Sequence, residues 1–428
     1  MYYIRNVLLI MRRSWINSLL CLSIAISRVV CQPANNSEVI HNKSQQVSYV
    51  LNQHQRFHDE FSIPESLQSS NSRKSKLFPL FTIIRFTNEI CRTTSEETGI
   101  CYTRNQCTSL GGLAQGNCAS GLGVCCRFIA SCGAIVYQNG TSFQNPNYPS
   151  KYTPMGGSDV CQIRIRKQHN VCQLRLNFIA FDVEGPAATP TTGQGTQNTV
   201  NDAGVCKVDS LAITSSGATV PSLCGTMNGQ HIYVDFGSSD TITLNLLLGG
   251  ASQRERTWNI EILTIPCNSV ARAPTGCLQY YTGVSGVVES FNFQGGMHLA
   301  NLDYSVCVRM EDGMRFIDWS PCSANSVRFA GGPAQLPTAP TANAMCQNTL
   351  TDYLVIIQGV SFPLLTTTTN PTVSTADRYC DLSFQQANSY VRTSARPFLI
   401  HFRTDMAEGG TNDLTSMGYC LRWQQNPQ

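Results

Sequence analysis

The chain has 428 residues and a formal net charge of +3, from 30 Lys and Arg against 27 Asp and Glu. That exceeds one ordinary domain at roughly 100–200 residues, and no basic block is dense enough to neutralise a run of phosphates, which excludes nucleic acid as a partner class. Charged residues make up only 13% of the chain, well under the roughly 25% of a typical soluble protein, while Thr, Ser, Asn, Gln and Gly are plentiful, as in many extracellular β proteins.

Residues 1–31 read as a signal peptide: MRRSWINSLLCLSIAISRVVCQP, from Met11, has a basic start, an apolar stretch from Trp15 to Ile26, and Val29 and Cys31 as cleavage-site residues. The apolar core is shorter than the about 20 residues that span a bilayer, and Asn17 lies inside it. No second apolar run follows, so the mature chain is expected to be secreted without an integral membrane segment. Removing Cys21 and Cys31 leaves eighteen of twenty cysteines, an even count for nine bridges in an oxidising compartment.

Residues 32–76 are rich in Asn, Ser and Gln and lack cysteine, as a disordered linker or propeptide would, with Arg73, Lys74 and Lys76 as a candidate processing site. His54 and His58 have metal-ligand spacing for a helix but no second ligand pair. Residues 77–127 hold Cys91, Cys101, Cys107, Cys118, Cys125 and Cys126, a knot too short to bury much apolar surface. Bridges worth about 2–4 kcal/mol each would offset that deficit. The spacing C-x9-C-x5-C-x10-C-x6-C-C, with GICYTRNQC at its centre and GVCC at its end, resembles the clip domain of arthropod serine proteases. The resemblance implies the pairs Cys91–Cys125, Cys101–Cys118 and Cys107–Cys126.

The other twelve cysteines form two sixes. Intervening lengths are 28, 10, 33, 17 and 42 from Cys132 to Cys267, and 29, 14, 23, 33 and 39 from Cys277 to Cys420. Such self-similarity predicts two copies of one module, over 128–267 and 277–428, joined by a linker at 268–276. Leu174, Leu176 and Phe178 alternate with polar residues, as do Ile232, Val234 and Phe236, then Ile242, Leu244 and Leu246, then Trp258, Ile260 and Ile262. Period two means strands with one buried face. The second copy offers YLVIIQ at 353–358 and PFLIHF at 397–402. The expected fold is all-β: two antiparallel β-sandwich domains preceded by a small disulfide-rich knot.

The stretch FQNPNYPSKYTP at 143–154 resembles the CUB domain. QIRIR after Cys161, LRLNFIAFDVE, CKVDSLAIT from Cys206, LCG at 223–225 and VDFGSSD at 234–240 follow in that family's order. In the second copy TDYLVI, RYCD at 378–381, FRTD at 402–405 and GYCLRW hold the corresponding places, without the proline turn. As a whole the chain resembles a group of arthropod secreted CUB proteins. The resemblance implies Cys132–Cys161, Cys206–Cys224, Cys277–Cys307 and Cys346–Cys380. The remaining cysteines, in the same order in both copies, give Cys172–Cys267 and Cys322–Cys420, each tying an early strand to its module's end.

Many CUB domains bind calcium through three carboxylates, and the resemblance places Glu184, Asp209 and Asp240 in those positions. Converging carboxylates repel one another unless a cation sits among them, so calcium is the implied ion; Asp352 and Asp405 are the second copy's counterparts, without a matching Glu. Against the ion stand Lys207 and Val208 before Asp209, the insertion between Glu184 and Asp209, and the strand TITLNL directly after Asp240. Asn35, Asn42 and Asn139 are N-glycosylation acceptors. No HExxH, G-x-S-x-G, GDSGG or phosphate-loop motif is present, so no enzyme is expected. The expected function is a non-enzymatic extracellular adaptor that binds a protein or glycan, with the inserted loop at 186–201 as its contact. Alternatives are a non-catalytic cofactor in an extracellular serine-protease cascade and a structural matrix component.

Overall fold

The computed structural model describes residues 86–154, 157–187, 191–192, 199–200, 203–250, 254–323, 326–329, 352–362, 374–379, 389–406 and 416–427. The knot contains β1 (Ile90–Arg92), β2 (Thr98–Tyr102), α1 (Arg104–Ser109), β3 (Leu113–Cys118) and β4 (Gly123–Ala130). Thr103 caps α1: its hydroxyl accepts from the Gln106 N–H, and the Gln106 side chain accepts from the Thr103 N–H. Disulfides Cys91–Cys125, Cys101–Cys118 and Cys107–Cys126 surround a small core of Cys107, Val124, Cys126 and Phe128.

The first sandwich follows with β5 (Ile135–Val136), β6 (Thr141–Gln144), β7 (Asp159–Arg166), β8 (Val171–Asp182), β9 (Thr191–Thr192), β10 (Thr199–Val200), β11 (Ser210–Thr214), β12 (His231–Asp235), β13 (Thr241–Leu248) and β14 (Thr257–Pro266). One sheet runs β4-β6-β14-β8-β12 and the other β11-β13-β7-β5. Strand β4 pairs with β2 and β3 in the knot and, over residues 128–130, in parallel with β6. Knot and sandwich therefore share a strand, and the expected boundary between residues 127 and 128 falls inside it. The four alternating triplets read from the sequence all point between the sheets, and all twelve side chains are fully buried. Fully burying an aliphatic or aromatic side chain contributes about 1.5–3 kcal/mol.

The second sandwich contains β15 (Cys277–Tyr281), β16 (Ser285–Glu289), β17 (Asp303–Val308), β18 (Phe316–Pro321), β19 (Val327–Arg328), β20 (Tyr353–Phe362), β21 (Ser374–Tyr379), β22 (Tyr390–Thr393), β23 (Phe398–Arg403) and β24 (Gly418–Asn426). Its pairing repeats the first. Strand β24 lies between β16 and β18 as β14 does between β6 and β8, and β22 flanks β18 as β12 flanks β8. Strand β23 lies between β17 and β20 as β13 does between β7 and β11, and β15 runs parallel to β17 as β5 does to β7. One difference follows from the length of β20. Its first residues pair with β23 and, past a register shift between Val355 and Gly359, its last pair with β22, so the second module's sheets are continuous.

Bridges Cys132–Cys161 and Cys277–Cys307 occupy matching places, and Cys206–Cys224 joins the segment before β11 to the segment after it. The third bridge of each copy differs in position. Cys172–Cys267 joins the start of β8 to the residue after β14, whereas Cys322–Cys420 joins the residue after β18 to the start of β24. The same antiparallel pair is stapled at opposite ends. Cys346 and Cys380 lie outside the described residues.

Alternation turns Gln173, Arg175, Asn177, His231, Tyr233 and Glu261 to the outer face of the first sandwich. The linker and the second module cover much of it, leaving Gln173, His231, Tyr233 and Glu261 buried. Hydrogen bonds make the joint. The Gln173 carboxamide exchanges bonds of 3.2 and 2.9 Å with the Ala273 backbone. His231 Nε2 lies 2.9 Å from Tyr280 O, Gln230 Nε2 donates to Ser290 O at 3.0 Å, and the Thr226 N–H donates to Asn292 Oδ1 at 2.8 Å. Rings of His231 and Tyr281 meet edge-on at 4.7 Å, and one hydrophobic cluster runs through both modules.

Two expectations follow. Gly225 has φ +83°, and a Cβ there would run into the Asn292 carboxamide, itself held by Thr226 N and Met297 O. Gly225→Ala is expected to cost about 1–3 kcal/mol and to open the joint, read as faster proteolysis at 268–276 and a larger radius of gyration in solution scattering. Burial, then the nearby Arg175 charge, lower the His231 pKa from 6.5 to about 4. Because the folded state resists protonation, stability is full above about pH 6.5 and falls as pH drops to about 4, by about 3 kcal/mol. Urea unfolding across that range should show this loss in the natural chain and less of it in His231→Gln.

Candidate functional site

At the start of β14 the inward parity of Trp258, Ile260 and Ile262, carried back two residues, puts Arg256 inside the sandwich, where it is fully buried. A buried guanidinium keeps its charge and needs a carboxylate. Asp209, at the start of β11, supplies it: Arg256 Nε donates to Oδ2 at 2.8 Å and Nη2 to Oδ1 at 3.0 Å, a two-pronged pair with neither side chain exposed. Asp209 also accepts from the Glu184 N–H at 2.8 Å and the Gly249 N–H at 2.9 Å. Arg256 also donates to Arg254 O at 2.6 Å and to Gly249 O at 2.8 Å.

The structure does not bring Glu184, Asp209 and Asp240 together. Glu184 and Asp209 are neighbours through the backbone bond just given, but Asp240 precedes β13 while Gly249, which touches Asp209, follows it. The eight residues of β13 separate them, roughly 30 Å at the rise of a strand. The second copy shows which residue stands in the third place: there the Asp405 N–H donates to Asp352 Oδ1 at 2.7 Å, as the Gly249 N–H does to Asp209. Gly249 thus replaces a carboxylate. Asp352 likewise has an internal partner, the fully buried His298, whose Nε2 lies 3.3 Å from Asp352 Oδ2 and 2.8 Å from Phe329 O. Among the described residues no group of three or more His, Cys, Asp or Glu could hold a metal ion.

A row of Ser305, His401 and Asp303 crosses the outer face of the second sandwich, with Ser305 Oγ 3.0 Å from His401 Nδ1 and His401 Nε2 2.8 Å from Asp303 Oδ1. It can orient an imidazole. Strands β17 and β23 lie inside the sheet, where backbone N–H groups bond to neighbouring strands. Between the modules a cleft of about 210 Å³ is lined by Tyr233, Asp235, Gly276, Asp303 and Tyr304 among others. Its carboxylates are already engaged, Asp235 with Arg272 at 3.5 Å and Asp303 with His401.

Asn139 lies in the turn between β5 and β6, half-buried, its Oδ1 accepting from the Thr264 N–H at 2.8 Å. Asn35 and Asn42 lie outside the described residues, as does most of the loop at 186–201. Its described part includes the β9–β10 pair, and at its base Gly204 O accepts from the Ala300 N–H of the second module at 2.9 Å.

Residues 132–261 match the model of the CUB domain, and residues 274–426 match that of the animal CUB domain. The chain carries two CUB domains. Solved structures similar to it include the CUB1-EGF-CUB2 domains of rat MASP-1, at 11% identity over 68% of this chain and 99% of that one, with a TM-score of 0.23. Others are the MASP-1 CUB2 domain bound to Ca2+ (19% identity, 31% and 98% coverage, TM-score 0.22) and the full extracellular region of zebrafish Gpr126/Adgrg6 (10%, 68% and 36%, 0.23). No curated protein matches the chain. Among the described residues no helix is long and apolar enough to cross a membrane.

In the first CUB domain, Arg256→Ala leaves a buried carboxylate without its counter-charge and is expected to cost about 3–5 kcal/mol. The double change Arg256→Ala with Asp209→Asn removes both charges and should cost less than the single one. Urea unfolding checks this, and a double variant with two full, additive losses would show that the pair is not coupled.

Proposed function

We propose that the chain is a secreted, non-enzymatic extracellular binding or adaptor protein that presents a protein or glycan with one recognition surface built from both CUB domains. The hydrogen-bonded joint carries this reading. Loops on the two modules keep a fixed spacing, so a partner meets a preorganised surface rather than two independent ones. The loop at 186–201 is its contact: an insertion beside the joint, with its base bonded to Ala300. Glycans on Asn35, Asn42 and Asn139 belong to the same reading, and one on Asn139 keeps the turn between β5 and β6 clear of partners.

A second reading, a non-catalytic cofactor in an extracellular serine-protease cascade, draws on the knot. Its bridges run first to fifth, second to fourth and third to sixth, the order implied by the clip-domain resemblance.

The test is to express the full chain with a photo-crosslinker in the loop at 186–201 and incubate it in extracellular fluid. A crosslinked extracellular protein or glycoconjugate that intact unlabelled chain competes away, and a loop-deleted chain does not, is the expected result. A serine-protease zymogen as that partner selects the second reading. Retention of the chain inside cells, or release from tissue only under reductant or denaturant, would overturn the first.

A further inference from the structure

We propose that neither CUB domain uses calcium at its strand-end carboxylates, because a side chain of the chain itself lies against the aspartate at each: the Arg256 guanidinium in the first and the His298 imidazole in the second. The CUB resemblance implies an ion here, and the residues present do not fit one. An ionised carboxylate offers about four lone-pair sites, and Asp209 fills four, with donors from Glu184 N, Gly249 N, Arg256 Nε and Arg256 Nη2. A calcium ion takes six to eight oxygens and would have to displace a guanidinium that does not lose its proton. The third carboxylate cannot be restored by a small shift either. Gly249 stands in its place, and a Cβ there would run into Val208.

The second domain keeps both Asp352 and Asp405 but sets an imidazole against Asp352. His298 is fully buried, with Nδ1 3.3 Å from Leu299 O, and Nε2 2.8 Å from Phe329 O and 3.3 Å from Asp352 Oδ2. Nε2 thus faces two oxygen acceptors, the Phe329 carbonyl and the Asp352 carboxylate. Two residues from different parts of the fold, Arg256 just before β14 and His298 in the segment between β16 and β17, thus take the same part: a side-chain nitrogen lies against the Asp before β11 or β20. This replaces a dissociable cross-link by one that is permanent in any calcium concentration.

The test uses the whole chain and does not depend on the proposed binding role. Thermal unfolding in millimolar calcium and in excess EDTA is expected to give the same midpoint, and titration of calcium into the chelator-treated chain no saturable heat. Ligand held by the native state alone at a hundred times its dissociation constant would raise the midpoint by several degrees. A rise that Asp209→Asn or Asp352→Asn abolishes would overturn the proposal. So would a calcium peak beside either aspartate in a crystal grown with calcium, which needs no variant to fold. A rise that survives both changes places the ion elsewhere and leaves the proposal standing.

Discussion

The start of β14 is the point on which most of the first CUB domain hangs. Alternation forces Arg256 and Trp258 onto the inner face, and each then dictates a loop. The Trp258 N–H donates to Asn145 Oδ1 at 3.0 Å while the Asn145 carboxamide reaches Pro146 O and Ser150 O, so the proline-rich turn is pinned to that strand. The Arg256 backbone pairs with Tyr152, and its side chain fixes Asp209, Gly249 and, through Asp209, the backbone at Glu184. Four loops converge on two residues, Arg256 and Trp258. A buried ion pair is poor evidence for net stability when compared with an apolar pair, but here it sets positions: the guanidinium fork accepts only one orientation of the carboxylate.

The same sheet governs the other side of the module. Its outer face is polar because β strands with one core-facing row put the other row outward, and the second CUB domain settles on that polar row. Directional bonds to backbone atoms of residues 273, 280 and 290 define a relative orientation in a way that apolar contact alone does not. The joint therefore resembles a specified interface more than a flexible bead-to-bead contact. At the other edge β4 passes from the knot into the same sheet, so the knot and the first sandwich share one continuous piece of backbone hydrogen bonding.

Much of this was legible in the sequence. The triplets around Leu176, Val234, Leu244 and Ile260 give strands and their buried face directly, since period two has no helical reading, and the two sixes of cysteines give the duplication. What was not legible has physical reasons. The outer row of Gln173, Arg175 and His231 looks like a solvated face, because polarity on a strand does not say whether water or another module supplies the partners. Cysteine order names the two strands of a bridge but not which end of an antiparallel pair it staples, so Cys172–Cys267 and Cys322–Cys420 look alike until the register is known. Asp240 sits in a family-like string, yet the string belongs to the start of β13 and the residue that matters belongs to its end.

Arg256 was the missed signal that could have been found. Counting back by two from Trp258 places a cation on the core face, and a buried cation demands an anion whose position is then constrained to the neighbouring strand ends. Asp209 is the one aspartate between Cys206 and Cys224, at the start of a strand whose Leu211 and Ile213 point the same way inward. Parity on β14 and parity on β11 thus select the same pair from two directions. An unexpected charge on a core-facing parity carries more information than an expected carboxylate in a loop, because only the former must be answered by another part of the chain.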